Sequence, residues 1–185
     1  YVGGKYKESI QHCRESFDAL IETGDVWEAH NDQINMANAY YRLGEMKAAA
    51  EMGRALYLDA RVMDDRQSVI NGITIWTKAT QGRLPLEKIP FDLPYYGEDR
   101  CTIIQIMQAQ AIRYLALGQV ENAVAKLLKA DEMARVPYRS RQEYLMPTLP
   151  WLLTAYRIFG DTFDRRHLKR ALGLAPRVLR QSKSF

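Results

Sequence analysis

The side chains able to do chemistry in this chain of 185 residues are three histidines, two cysteines and scattered carboxylate pairs. His30 stands between Glu28 and Asp32, but residues two apart point to different faces of a helix and cannot share a metal. His12 has Glu8 and Glu15 at helical spacing; these three could hold a metal only weakly, and a solvated surface is the plainer expectation. Cys13 follows His12, which suggests a nucleophile and its base. Adjacent helical residues diverge by about 100°, however, and a base must come within hydrogen-bond reach. Cys13 instead continues the apolar stripe of Tyr6, Ile10 and Phe17, so a buried structural thiol is expected. Cys101 opens a helix, where the dipole could activate it, but has no evident partner. No phosphate-binding loop, dinucleotide fingerprint, zincin pair or serine elbow occurs. Asp64-Asp65 and Glu98-Asp99 fall at expected helix starts, where capping accounts for them. The residues give no catalytic centre, no metal site and no cofactor site.

What remains is the way these residues are carried. A helical stretch ending in an aromatic or aliphatic pair, then a glycine, then another helix recurs at Gly4, Gly44, Gly82, Gly118 and Gly160. The clearest copy is Asn38-Ala39-Tyr40-Tyr41-Arg42-Leu43-Gly44-Glu45. Glycine suits the residue after a helix, which commonly needs positive φ. The spacing predicts helices at 5–23, 26–43, 45–63, 66–81, 100–117, 119–135, 141–159 and 163–181. Small residues early in second helices, such as Ala48, Ala49 and Ala123, should let antiparallel partners approach closely. The first helix reads as the second half of a hairpin, so the chain is expected to begin inside a repeat. The frame breaks at 83–99, where Pro85, Pro90 and Pro94 replace a helix. The apolar residues there are expected to fold back over hairpin surfaces. One repeat domain over 1–185 is the expectation.

Charge is uneven. Residues 1–132 hold 15 basic against 19 acidic side chains, a net of −4, while 133–185 hold 11 against 3, a net of +8. Two cysteines far apart, with no apolar run able to span a bilayer and no apolar leader, suggest a cytoplasmic chain without membrane association.

The stretch Asn35 to Ala49 resembles the tetratricopeptide pattern, with Ala37, Tyr40, Gly44 and Ala49 at its small, aromatic, turn and small positions. Ala111, Tyr114, Gly118 and Ala123 match the same four, and Leu153, Tyr156 and Gly160 match three. The long, irregular units, and Trp76 to Pro85, look like the repeat regions of large bacterial signalling proteins such as multidomain ATPases, cyclases or kinases. The resemblance implies an all-α fold of antiparallel hairpins stacked as a right-handed superhelix. It also implies a non-catalytic module that binds another protein or a neighbouring domain.

In such a stack the first helix of each hairpin lines the concave wall. Its polar residues would be Asn31, Asn35, Asn38 and Arg42, then Asn71, Thr74 and Lys78, then Gln105, Gln108 and Arg113. Recognition of a peptide backbone explains the asparagine ladder, and hydrogen bonding between hairpins explains it equally well. The basic patch Arg166, Lys169, Arg170, Arg177 and Arg180 suits an acidic protein surface or plain solvation; nucleic acid is disfavoured because no base-reading motif accompanies it. The rival readings are an oligomerisation spacer forming homo-oligomers, and an enzyme's accessory domain with a ligand pocket beside Tyr95 and Tyr96.

Overall fold

The computed structural model describes residues 5–84, 100–134, 141–162 and 166–182, with side chains over 5–84, 100–134, 148–161 and 166–179. These residues form eight α-helices and no strand: α1 (Tyr6–Thr23), α2 (Val26–Leu43), α3 (Met46–Val62), α4 (Arg66–Ala79), α5 (Arg100–Ala116), α6 (Val120–Ala134), α7 (Arg141–Thr162) and α8 (Arg166–Ser182). No described helix is long and apolar enough to cross a membrane. Contacts gather into two compact units, Tyr1–Gln81 and Gly82–Phe185.

In the first unit α1 packs on α2, α2 on α3 and α3 on α4, while α2 also touches α4 directly. The turn between α2 and α3 works as its sequence requires. Gly44 takes φ +79° and its N–H closes the end of α2 onto the Tyr41 carbonyl, while Ala37 and Ala49 are fully buried. Gly24, absent from the glycine frame, does the same for α1. The stripe of α1 is less covered than expected: Tyr6, Ile10, Cys13, Phe17 and Leu20 are all half-buried, and α1 buries no residue completely. Cys13 is therefore not the buried thiol its stripe suggests, because only α2 packs on α1 within this unit.

The tightest contact joins α3 and α4. A Cβ on Gly72 would lie 2.7 Å from the Tyr57 amide nitrogen, and one on Gly53 would lie 2.9 Å from that of Trp76. With backbone against backbone there is no side chain to move aside. Tyr57 and Trp76 close the seam with ring centroids 6.1 Å apart. Residues Gly72 to Thr77 are buried without interruption, so α4 is enclosed on every side.

In the second unit α5, α6, α7 and α8 pack in succession, and α5 also touches α7. Its core joins Ala111, Ala123, Leu127, Leu152, Ala155 and Ala171, drawn from all four helices. Gly82 has φ +76°, and a Cβ there would come within 2.6 Å of the Ile112 carbonyl oxygen. Arg113 Nη1 donates to the Gly82 carbonyl at 2.8 Å, so the turn is pinned to α5. Leu84 is buried, and the expected fold-back of the proline-rich stretch lies outside the described residues from 85 onward, as does Gly4. Gly160 is a correction: it is not a turn residue but lies inside α7, which runs on to Thr162. A Cβ there would meet Leu168 Cγ at 2.6 Å, so its smallness serves the approach of α8.

Two glycine replacements should separate packing from helix propensity. Alanine gains roughly 1 kcal/mol over glycine within a helix, whereas forcing a methyl into a packed seam costs about 1–3 kcal/mol. Where backbone atoms form the obstacle the upper part of that range applies, so Gly72→Ala should lose about 1–2 kcal/mol in urea denaturation. Gly173→Ala, with nothing within 4 Å of its Cβ, should gain roughly 0.5–1 kcal/mol.

Candidate functional site

Helix α4 carries the two polar constellations of the first unit, one at each end. At its start Asp65 is the N-cap: Oδ1 accepts the Ser68 amide at 3.1 Å. The other oxygen, Oδ2, lies 2.8 Å from His30 Nδ1, both side chains being buried. Burial by itself would raise the Asp65 pKa, but hydrogen bonds from the Ser68 hydroxyl, from His30 and from the Ser68 amide outweigh it and hold the carboxyl below its ordinary value. Asp65 is thus a carboxylate and His30 Nδ1–H the donor. The trio is wired unlike a hydrolytic triad, in which the serine must hand its proton to the imidazole. Here Ser68 and His30 both serve the carboxylate. Their effect is to tie α2 to the N-terminus of α4.

Towards the other end of α4, Asn71, Thr74 and Lys78 follow the three-and-four spacing of one face, while Asn31, Asn35, Asn38 and Arg42 do so on α2, which α4 touches. Asn35 and Lys78 are half-buried; Asn31 and Arg42 are exposed. Burial first, and the neighbouring Arg42 charge second, lower Lys78 to about 8. No carboxylate among the described residues pairs with either cation. The Thr74 hydroxyl, one turn before Lys78 on α4, is 2% exposed and finds no hydrogen-bond partner among the described residues. Two like charges close together and an unanswered hydroxyl form a site that favours an anion with acceptor oxygens.

Three asparagines of the ladders bond within their own helices, unlike the reading in which they link hairpins. Asn38 donates to the Ile34 carbonyl and Asn71 to the Gln67 carbonyl, each within its own helix, and Asn31 donates to Glu28. These bonds join no hairpins. In the second unit Gln105 is half-buried, but Gln108 is 1% exposed and its Nε2 donates to Thr148 Oγ1 at 2.7 Å. It ties α5 to α7 and offers no surface to a partner, contrary to the sequence reading. Arg113 is likewise buried, spent on the Gly82 carbonyl.

The basic patch is only partly a patch. Arg166, Lys169 and Arg170 are exposed, Arg177 turns towards the buried Asp131 at 3.8 Å, and the Arg180 side chain lies outside the described residues. His167, to which sequence reasoning gave no role, packs its ring against Phe159 at 4.3 Å between centroids and takes a hydrogen bond from Arg170 at 3.3 Å. Around Cys13, burial and then the Asp32 carboxylate push the thiol pKa up, which works against a thiolate nucleophile. Among the described residues no group of three or more His, Cys, Asp or Glu side chains could hold a metal. Tyr95 and Tyr96 lie outside the described residues.

His30–Asp65 is the pair that sequence reasoning missed. The available signal was that His30 shares the stripe of Ala29, Gln33 and Ala37, all buried. Comparison of the chain with family models, curated proteins and solved structures gave no match.

Removing a hydrogen-bond donor from a buried carboxylate typically costs about 1.5–3 kcal/mol, so His30→Ala should lose about 2–3 kcal/mol in chemical denaturation. The sign of the pH effect follows from the lowered Asp65 pKa. Its stabilisation is complete above the ordinary aspartate value of 3.8 and disappears as pH falls through the lower folded value. The stability difference between the parent chain and Asp65→Asn should therefore be flat from neutral pH down to about 4 and collapse below that.

Proposed function

We propose that the chain is a non-catalytic protein-binding module of tetratricopeptide type, its hairpins stacked as a right-handed superhelix, and that it takes an extended acidic segment along the polar faces of α2 and α4. The observation that carries this reading is the pair Arg42 and Lys78. The fold draws two cations together and partly buries one, at a cost to Lys78 that shows in its pKa of about 8. No described carboxylate offsets that cost. An incoming carboxylate would do so.

Direct contact between α2 and α4, first helices of successive hairpins in the tetratricopeptide frame, supports the same reading because it makes their polar faces neighbours. The half-buried Asn35 stands one turn of α2 before Asn38 and two turns before Arg42. In this arrangement it is placed to read the backbone of an extended chain, while the cations read its charge. The module's setting within a larger bacterial signalling protein belongs to the same proposal and rests on the likeness of Asn35 to Ala49 and Trp76 to Pro85 to such regions.

A fluorescein-labelled oligo-glutamate peptide followed by anisotropy tests it. Charge-assisted hydrogen bonds contribute about 1.5–3 kcal/mol each, so Arg42→Ala and Lys78→Ala should each weaken binding about tenfold or more. An oligo-lysine peptide should not bind. A bound anion favours protonated Lys78, so affinity should fall as pH rises through about 8. Equal affinity in the parent chain and both variants would sink the assignment.

A further inference from the structure

Two surfaces of the chain carry opposite charge, and each exposes large apolar side chains. Between Arg14 and Arg42 there is no lysine or arginine, while Glu15, Asp18, Glu22, Asp25, Glu28 and Asp32 accumulate. All but Asp32 are exposed, and among them Ile21 and Trp27 stand open, Trp27 at 58%. Helix α8 is the reverse: it has no acidic residue from Arg166 to Ser182. Its Ala171 and Leu174 pack into the core of the second unit, whereas Leu172 and Leu179 face outward at 72% and 61% exposure.

The pairing is local as well as global. On α1, Asp18 and Ile21 are three residues apart, so a carboxylate and an aliphatic side chain sit side by side; on α8, Lys169 and Leu172 repeat that step with opposite charge. Asp18, Glu22 and Lys169 form no ion pair among the described residues, so each keeps its charge available. Large aliphatic and aromatic side chains left in water beside unpaired charge of one sign mark an association surface. Here the same chain supplies the opposite surface.

We propose that α8 of one copy docks on the α1–α2 hairpin of a second copy. Leu172 and Leu179 would lie against Ile21 and Trp27, and Lys169 would face Asp18 and Glu22. Trp27 is the large aromatic anchor such contacts favour. Because the two surfaces differ, the contact is heterologous, and each added copy brings both surfaces with it. The inference does not depend on peptide binding at Arg42 and Lys78.

Sedimentation velocity on the full chain tests it. Raising salt from about 0.1 M to about 1 M shortens the Debye length from about 10 Å to about 3 Å. Mass should therefore grow with concentration at low salt and return towards one copy at high salt. Two double variants then isolate the contact: Lys169→Glu with Leu172→Glu disables the α8 side, and Asp18→Lys with Glu22→Lys disables the α1 side. All four positions are exposed and none belongs to the core clusters described, so folding is retained, which circular dichroism checks. Each variant alone should remain a single copy, and an equimolar mixture should give a species of two copies, since each still holds the surface the other needs. A parent chain of one copy at every concentration would overturn the proposal, as would self-association surviving in either variant, or a mixture in which no pair forms.

Discussion

Helices α3 and α4 lie backbone to backbone because Gly53 and Gly72 place no side chain between them, and much of the first unit is organised by that approach. With α3 so close, α4 becomes a buried axis whose residues Gly72 to Thr77 meet protein on all sides. An enclosed helix has few places for polar groups. Those that it carries must be answered within the fold or left as open valences. Asp65 and Lys78, separated by thirteen residues and therefore about 20 Å along the axis, represent the two outcomes.

At the Asp65 end the valences are filled. A helix N-terminus offers free N–H groups, the carboxylate caps one, and the helix dipole favours its negative charge. His30 reaches the second oxygen from α2, so one side chain serves both the local helix and the tertiary contact. That double duty explains why the carboxylate stays ionised despite burial. Two helices not adjacent in sequence are thereby held at one end by a buried hydrogen bond to a carboxylate, and α4 is held to its sequence neighbour by the glycine seam.

Helix ends were legible in the sequence because caps are local. Gly44 and Gly118 reach positive φ just after their helices, as a frame built on chain chemistry requires. The observed boundaries fall within three residues of those expected. Gly160 misled for a physical reason: glycine is selected both for backbone conformation and for lack of a side chain, and sequence alone does not distinguish the two uses. Tertiary pairing was not legible. His30 meets Asp65 across 35 residues and Gln108 meets Thr148 across 40; in each case the sequence shows a polar residue at helical spacing without showing what it faces. Gln108 therefore read as a surface contact although it is a core hydrogen bond. Lys78 read as a contact because of its position, but the closeness of Arg42 that makes it chemically distinctive comes from the packing of α2 on α4.

The contrast between satisfied and unsatisfied polar groups gives a criterion that residue type does not. Asp65, His30 and Gln108 are buried and bonded, and replacing their partners would cost stability while offering nothing to a ligand. Arg42, Lys78 and the Thr74 hydroxyl lack such answers among the described residues. A fold that buries part of a lysine beside an arginine accepts a standing repulsion, which loss of the Lys78 proton or an anion from elsewhere would relieve. By the same reasoning, the asparagines whose amides bond within their own helices have part of their hydrogen-bonding capacity already engaged, whereas the cationic end of the α2–α4 face does not.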